Sequence, residues 1–177
     1  MRDGYGFEDW EFMAMVALWS AGSALALWAL GPVVDRVGSK PLLGASGMIL
    51  VAHQAVWAAV GAKVIAPTLW ISVLMMCVSA LAMAMFTLPN TRLAMGVVPE
   101  MGRSHFFALF SVVTSLTAGI FPILWGIAID AVAGTKVSWG AWEWNSWSLC
   151  YAAVAAGMLV SVFFQQRLLE PKAMPTD

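Results

Sequence analysis

Five stretches of this chain run for 22 or more residues without an Asp, Glu, Lys or Arg: Phe12 to Val34, Pro41 to Ala62, Val64 to Thr91, Ser104 to Ile129 and Trp144 to Gln166. A helix rising about 1.5 Å per residue needs about 20 residues to cross a hydrocarbon core of about 30 Å, so each stretch is long enough to span a bilayer. Strands fit poorly, because a barrel strand needs only about 10 residues and alternates polar with apolar positions. Helices also satisfy their own backbone hydrogen bonds in lipid, which an open sheet cannot do. The expected fold is all-α: a polytopic membrane protein with one transmembrane domain over residues 1–177 and spans at approximately 12–34, 41–62, 66–89, 105–129 and 146–166.

Composition agrees with that reading and excludes several others. Hydrophobic residues make up 61% of the chain and charged residues 11%, against about 25% charged in soluble domains. A water-soluble globule is therefore excluded, and with it a disordered chain or a secreted disulfide scaffold. The formal net charge of −1 gives no basic surface for nucleic acid. Cys77 and Cys150 fall inside spans and read as packing thiols. No CxxC, HExxH or Gly-x-Ser-x-Gly pattern occurs, so neither an enzyme nor a resident metal or other cofactor is expected.

The placement of Lys and Arg predicts orientation. Arg36, Lys40, Arg92, Arg103, Arg167 and Lys172 follow the first, third and fifth spans, whereas only Arg2, Lys63 and Lys136 lie on the other side. The richer side is expected to be cytoplasmic, with the N-terminus outside and the C-terminus inside. The acidic start (Asp3, Glu8, Asp9, Glu11) lacks the cationic character of a secretory signal and looks like a loop between two helices. Direct insertion into a bacterial inner membrane fits these features. On the outer side, Trp139, Trp142, Trp144 and Trp147 suit the membrane interface as an aromatic belt, the alternative being a lid. Ala153, Gly157 and Ser161 on the fifth span, and Gly22 with Ala26 on the first, would let helices approach closely. Pro67 and Pro89 are placed near the two ends of the third span, where a missing backbone donor costs least.

After the first span comes Gly31-Pro32-Val33-Val34-Asp35-Arg36-Val37-Gly38-Ser39-Lys40-Pro41. This is a helix end, a carboxylate, a glycine able to take positive φ and cations in a very short loop. A carboxylate there can face the positive N-terminus of a neighbouring helix, an attraction of about 0.3–1 kcal/mol when exposed. A contact of that size can hold a two-state protein shut and still break.

These residues resemble the signature G-x-x-x-D-R-x-G-x-K/R of the major facilitator superfamily of secondary transporters, matched by Gly31, Asp35, Arg36, Gly38 and Lys40. Asn90-Thr91-Arg92 and Pro99-Glu100-Met101-Gly102-Arg103 are similar to that family's loop between its tenth and eleventh helices. The resemblance implies that the five spans correspond to helices eight to twelve of twelve, a partial helical bundle without helix seven and the first half. It implies part of a secondary active transporter that moves a small solute by alternating access, incomplete alone, with the bilayer, the solute and the missing half or another membrane chain as partners. The alternative is a non-transporting membrane subunit that binds or regulates another membrane protein. Leu27 to Asp35 is echoed by Leu124 to Asp130, each keeping Gly-x-x-x-Asp. This is either an inverted repeat or a common way of ending an apolar helix.

The resemblance also assigns expected roles. Gly31, Asp35, Arg36, Gly38, Lys40, Arg92, Glu100 and Arg103 would form a conformational gate: Asp35 facing a helix N-terminus of the missing half, Arg36 paired with Glu100, and Arg92 and Arg103 completing the network. The first, third and fourth spans would line the cavity, making Trp19, Ser20, Ser23, Ser72, Ser79, Thr114, Ser115 and Thr117 lining candidates. Each hydroxyl could instead bond its own i−4 carbonyl or a neighbouring helix. His53, an ionisable group near mid-span, is the candidate for proton coupling. Its other reading is a neutral histidine hydrogen-bonded to a neighbouring helix.

Overall fold

The computed structural model describes residues 8–98, 102–140 and 142–167. They form α1 (Asp9–Val37), α2 (Ser39–Gly61), α3 (Leu69–Val97), α4 (Arg103–Ala131), a hairpin of β1 (Val137–Trp139) and β2 (Trp142–Trp144), and α5 (Ser146–Gln166). All five helices are long and apolar enough to cross a membrane. The protein thus has the five long apolar helices that the uncharged runs predict, with one short hairpin added among the described residues.

Local chemistry sets the helix boundaries. Gly38 ends α1 and starts α2 with φ 89° and ψ 168°, a region that only glycine adopts at low cost. One residue therefore reverses the chain between two antiparallel helices. Thr68 caps α3 by accepting from the Ile71 amide at 3.3 Å, and Asn145 caps α5 by accepting from the amides of Trp147 and Ser148, both at 3.0 Å. Each cap satisfies a donor that the helix itself leaves open.

Past Pro89 the structure departs from the expected end of the third span, because α3 continues to Val97. A proline removes one intrahelical bond without forbidding the turns beyond it, and Pro89 is buried. Asn90, Thr91 and Arg92 therefore stand on a helix rather than in a loop, and Arg92 is held on a rigid element.

In packing, α1 lies on α3, α3 on α2, and α2 on α5, so α3 and α2 are the two middle helices of this group. The buried side of α2 includes Leu42, Leu43, Ser46, Leu50, Trp57 and Val60. Between helices in lipid there is little hydrophobic gain, so close fit carries the association. At Gly47 a Cβ would overlap the Val162 side chain of α5, and at Gly61 it would lie 3.1 Å from the Ser148 amide nitrogen. These two glycines set the approach of α2 and α5. The Cβ position at Gly22 is 3.4 Å from Ala80, which gives α1 and α3 a similar small-residue contact.

The stripe Ala153, Gly157 and Ser161 on α5 faces outward instead. The seam is built from the small residues of α2, with Cys150 and Val162 buried on the α5 side. More notably, none of the residues of α4 is buried, although its composition matches that of the other spans.

Candidate gate at the Gly38 end

The turn at Gly38 brings the last turn of α1 beside the late turns of α3. Arg92 reaches across with one nitrogen: Nη1 donates to Asp35 Oδ1 at 2.7 Å and to the Val34 carbonyl at 3.1 Å. The second bond satisfies part of the carbonyl end of α1, where a cation is also favoured by the helix dipole. Two residues 57 positions apart thus form a bridge between helices.

The exposure of this bridge limits its strength. The Asp35 side chain is 76% exposed and that of Arg92 44%, so water and salt screen the pair to about 0.2–1 kcal/mol. A bridge of that strength can form and break reversibly. Arg36 is exposed, Lys40 is half-buried in the first turn of α2, and Arg103 donates to the Val98 carbonyl at 3.4 Å. Glu100, the expected partner of Arg36, lies outside the described residues. At Gly31 a Cβ would meet nothing within 4 Å, so the first glycine of the signature has no close neighbour among the described residues.

The lining candidates fall into three environments. Ser20, Thr114 and Thr117 donate to the carbonyls of Val16, Phe110 and Val113 at 3.0, 2.7 and 2.7 Å, each within its own helix. Ser115 is exposed and Trp19 half-buried. Ser72 is buried, the Ser79 hydroxyl donates to Met76 at 3.0 Å, and the Ser23 hydroxyl is enclosed without a hydrogen-bond partner. Ser20, Thr114, Ser115 and Thr117 therefore stand on open helix faces, whereas Ser23, Ser72 and Ser79 are withdrawn into the bundle.

His53 is half-buried. Its Nε2 accepts from the Trp57 indole at 3.1 Å, which assigns the ring proton of a neutral imidazole to Nδ1. Trp57 in turn stacks on Tyr151 of α5 with ring centroids 6.1 Å apart. The Trp57 bond runs along α2 itself, one turn on, while the backbone of Met75 on α3 interacts with His53 from the neighbouring helix.

At the opposite end lies a set of contacts that the motif reading did not single out. Lys63 and Glu143 pair at 2.7 Å, Asn145 Nδ2 donates to the Gly61 carbonyl at 2.6 Å, and the Glu143 amide donates to the Ala62 carbonyl at 3.1 Å. Lys63 itself has φ 61°, a left-handed position after a helix where glycine is usual. Its side chain ties that turn to the hairpin. The sequence signal was present: Asn145 three residues ahead of Ser148, before an apolar run, is a helix-start pattern.

A family model described as Major Facilitator Superfamily matches residues 1–176 of the chain. No curated protein and no solved structure matches it.

Proposed function

This chain belongs to the major facilitator superfamily, a family of membrane transporters, and we propose that it forms part of a secondary active transporter for a small solute. Alternating access would proceed by breaking and remaking the Asp35–Arg92 bridge at the Gly38 end. The observation that carries the reading is that bridge: it joins the carboxylate of the family signature to a second helix, is exposed, and is of a strength that can be reversed within a transport cycle. In the same reading the Gly38 end faces the cytoplasm of a bacterial inner membrane, as its excess of cations suggests.

We further propose that additional helices complete the protein. The largely exposed α4, with no buried residue, and the open position at Gly31 support this, since both offer a surface against which another helix can pack. Those helices would supply the other wall of the solute cavity, and the open faces carrying Ser20, Thr114, Ser115 and Thr117 would form this wall. His53 is better placed as a packing and hydrogen-bonding group, because its Nε2 is engaged by Trp57.

The test is Asp35→Asn in the assembled transporter in native membranes. The substitution keeps the shape of the side chain and removes its charge, so solute exchange should slow while the amount of folded protein stays constant. Unchanged exchange kinetics would contradict the gate.

A further inference from the structure

Beside the gate, the first turns of α2 and the last turn of α5 enclose a shallow groove of about 530 Å³, lined by Lys40, Pro41, Gly44, Ala45, Met48 and Gln166. Its polar groups are all at one end. Lys40 is the second residue of α2 and Gln166 the last of α5, whereas Gly44, Ala45 and Met48 run up to about 12 Å further along α2 at about 1.5 Å per residue. In a spanning bundle that direction leads from the headgroup level into the hydrocarbon.

The charge at the polar end has no counter-charge among the described residues. Lys40 has no ion-pair or hydrogen-bond partner among the described residues, and Asp35, the one described acid at this end, is taken by Arg92. Arg167 follows Gln166 in the chain, but its guanidinium is held over the Phe163 ring, 4.6 Å from the centroid, so Lys40 is the one charged side chain that lines the groove. A groove with a cation and an amide at headgroup level and a narrow apolar floor below complements a negatively charged amphiphile.

We propose that this groove seats one anionic phospholipid. The phosphate rests on the Lys40 ammonium, a glycerol ester carbonyl accepts from the Gln166 amide, and the upper part of one acyl chain lies along Gly44, Ala45 and Met48. The bound lipid would brace α2 against α5 at the end where the hairpin does not reach. This assignment needs only the spanning bundle and is independent of the transport reading.

Native mass spectrometry of the purified full chain, offered equal phosphatidylglycerol, phosphatidylethanolamine and phosphatidylcholine, tests it. Phosphatidylglycerol should be retained about fivefold over either zwitterionic lipid, the order of preference that one basic residue at a membrane surface provides. Lys40→Gln should abolish that preference and Lys40→Arg keep it, while Lys136→Gln, at the hairpin end, leaves it unchanged. Ala45→Leu fills the floor without touching the charge and should lower retention of the bound lipid. Circular dichroism confirms that each variant keeps its helices. Equal retention of the three lipids by the unmodified chain, or an unchanged preference in Lys40→Gln, would overturn the proposal. So would undiminished retention in Ala45→Leu, since the charge would then act without the groove.

Discussion

At the hairpin end, α2 and α5 are joined by an ion pair, a side-chain amide on a helix-end carbonyl, a backbone bond from the hairpin and a glycine pressed against the Ser148 backbone. At the Gly38 end, α1 and α3 are joined by one guanidinium that reaches an exposed carboxylate and a carbonyl. Both ends contain a salt bridge of 2.7 Å, yet only the first is embedded in contacts that cannot give separately. Ion-pair distance alone therefore does not say how firmly two helices are joined. What surrounds the pair does: removing Lys63–Glu143 leaves α2 and α5 still fastened, whereas removing Asp35–Arg92 leaves the Gly38 end of α1 and α3 without its bridge.

The largest effect expected from breaking the fixed region comes at its seam. Gly47→Leu would drive a branched side chain into Val162, a stiff neighbour, and overpacking at so tight a contact should cost about 3 kcal/mol or prevent assembly of the bundle. Denaturant titration in micelles, followed by circular dichroism, measures it. A wild-type midpoint would show that α2 and α5 are not in close contact.

Next in size is Asn145→Ala, which removes the cap of α5 and the bond to Gly61 together. A loss of about 1–2 kcal/mol is expected, and protease nicking of the hairpin should rise. Conversely, Leu116→Ala on the exposed α4 should change the stability of the isolated chain by less than about 0.5 kcal/mol. If additional helices pack on α4 as proposed, the same substitution should weaken their association. Equal costs at Leu116 and in the α2 core would remove the contrast between these helices.

How much of this was legible in the sequence depended on what distinguishes one apolar surface from another. Uncharged length sufficed for the five helices, because crossing a bilayer depends on length and composition alone. Gly38 was legible because a two-helix turn of one residue needs a backbone that glycine alone supplies. The seams were not, because in lipid both the packed and the lipid-facing sides of a helix are apolar. Ala153, Gly157 and Ser161 thus had the spacing of a contact face and turned outward, whereas Gly47 and Gly61, about four turns apart on α2, form the contact. Arg92 was recognisable as part of a charge group, but its bridge to Asp35 requires α3 to continue through Pro89, which a breaker-based reading ends too early. The hairpin fastening depended on Lys63 taking a left-handed backbone that its residue type does not announce.

The most direct test of the proposed gate uses a single cysteine as reporter. In a background lacking Cys77 and Cys150, Ser20→Cys places a thiol on an open face of α1, and its labelling by a membrane-impermeant maleimide added from the Gly38 side reads how often that side is open. Arg92→Gln should raise the labelling rate by up to about fivefold, the population shift that about 1 kcal/mol allows, while Lys63→Gln leaves it unchanged. Equal rates with and without Arg92, in protein that is equally folded, would contradict the assignment of the Asp35–Arg92 bridge as the gate.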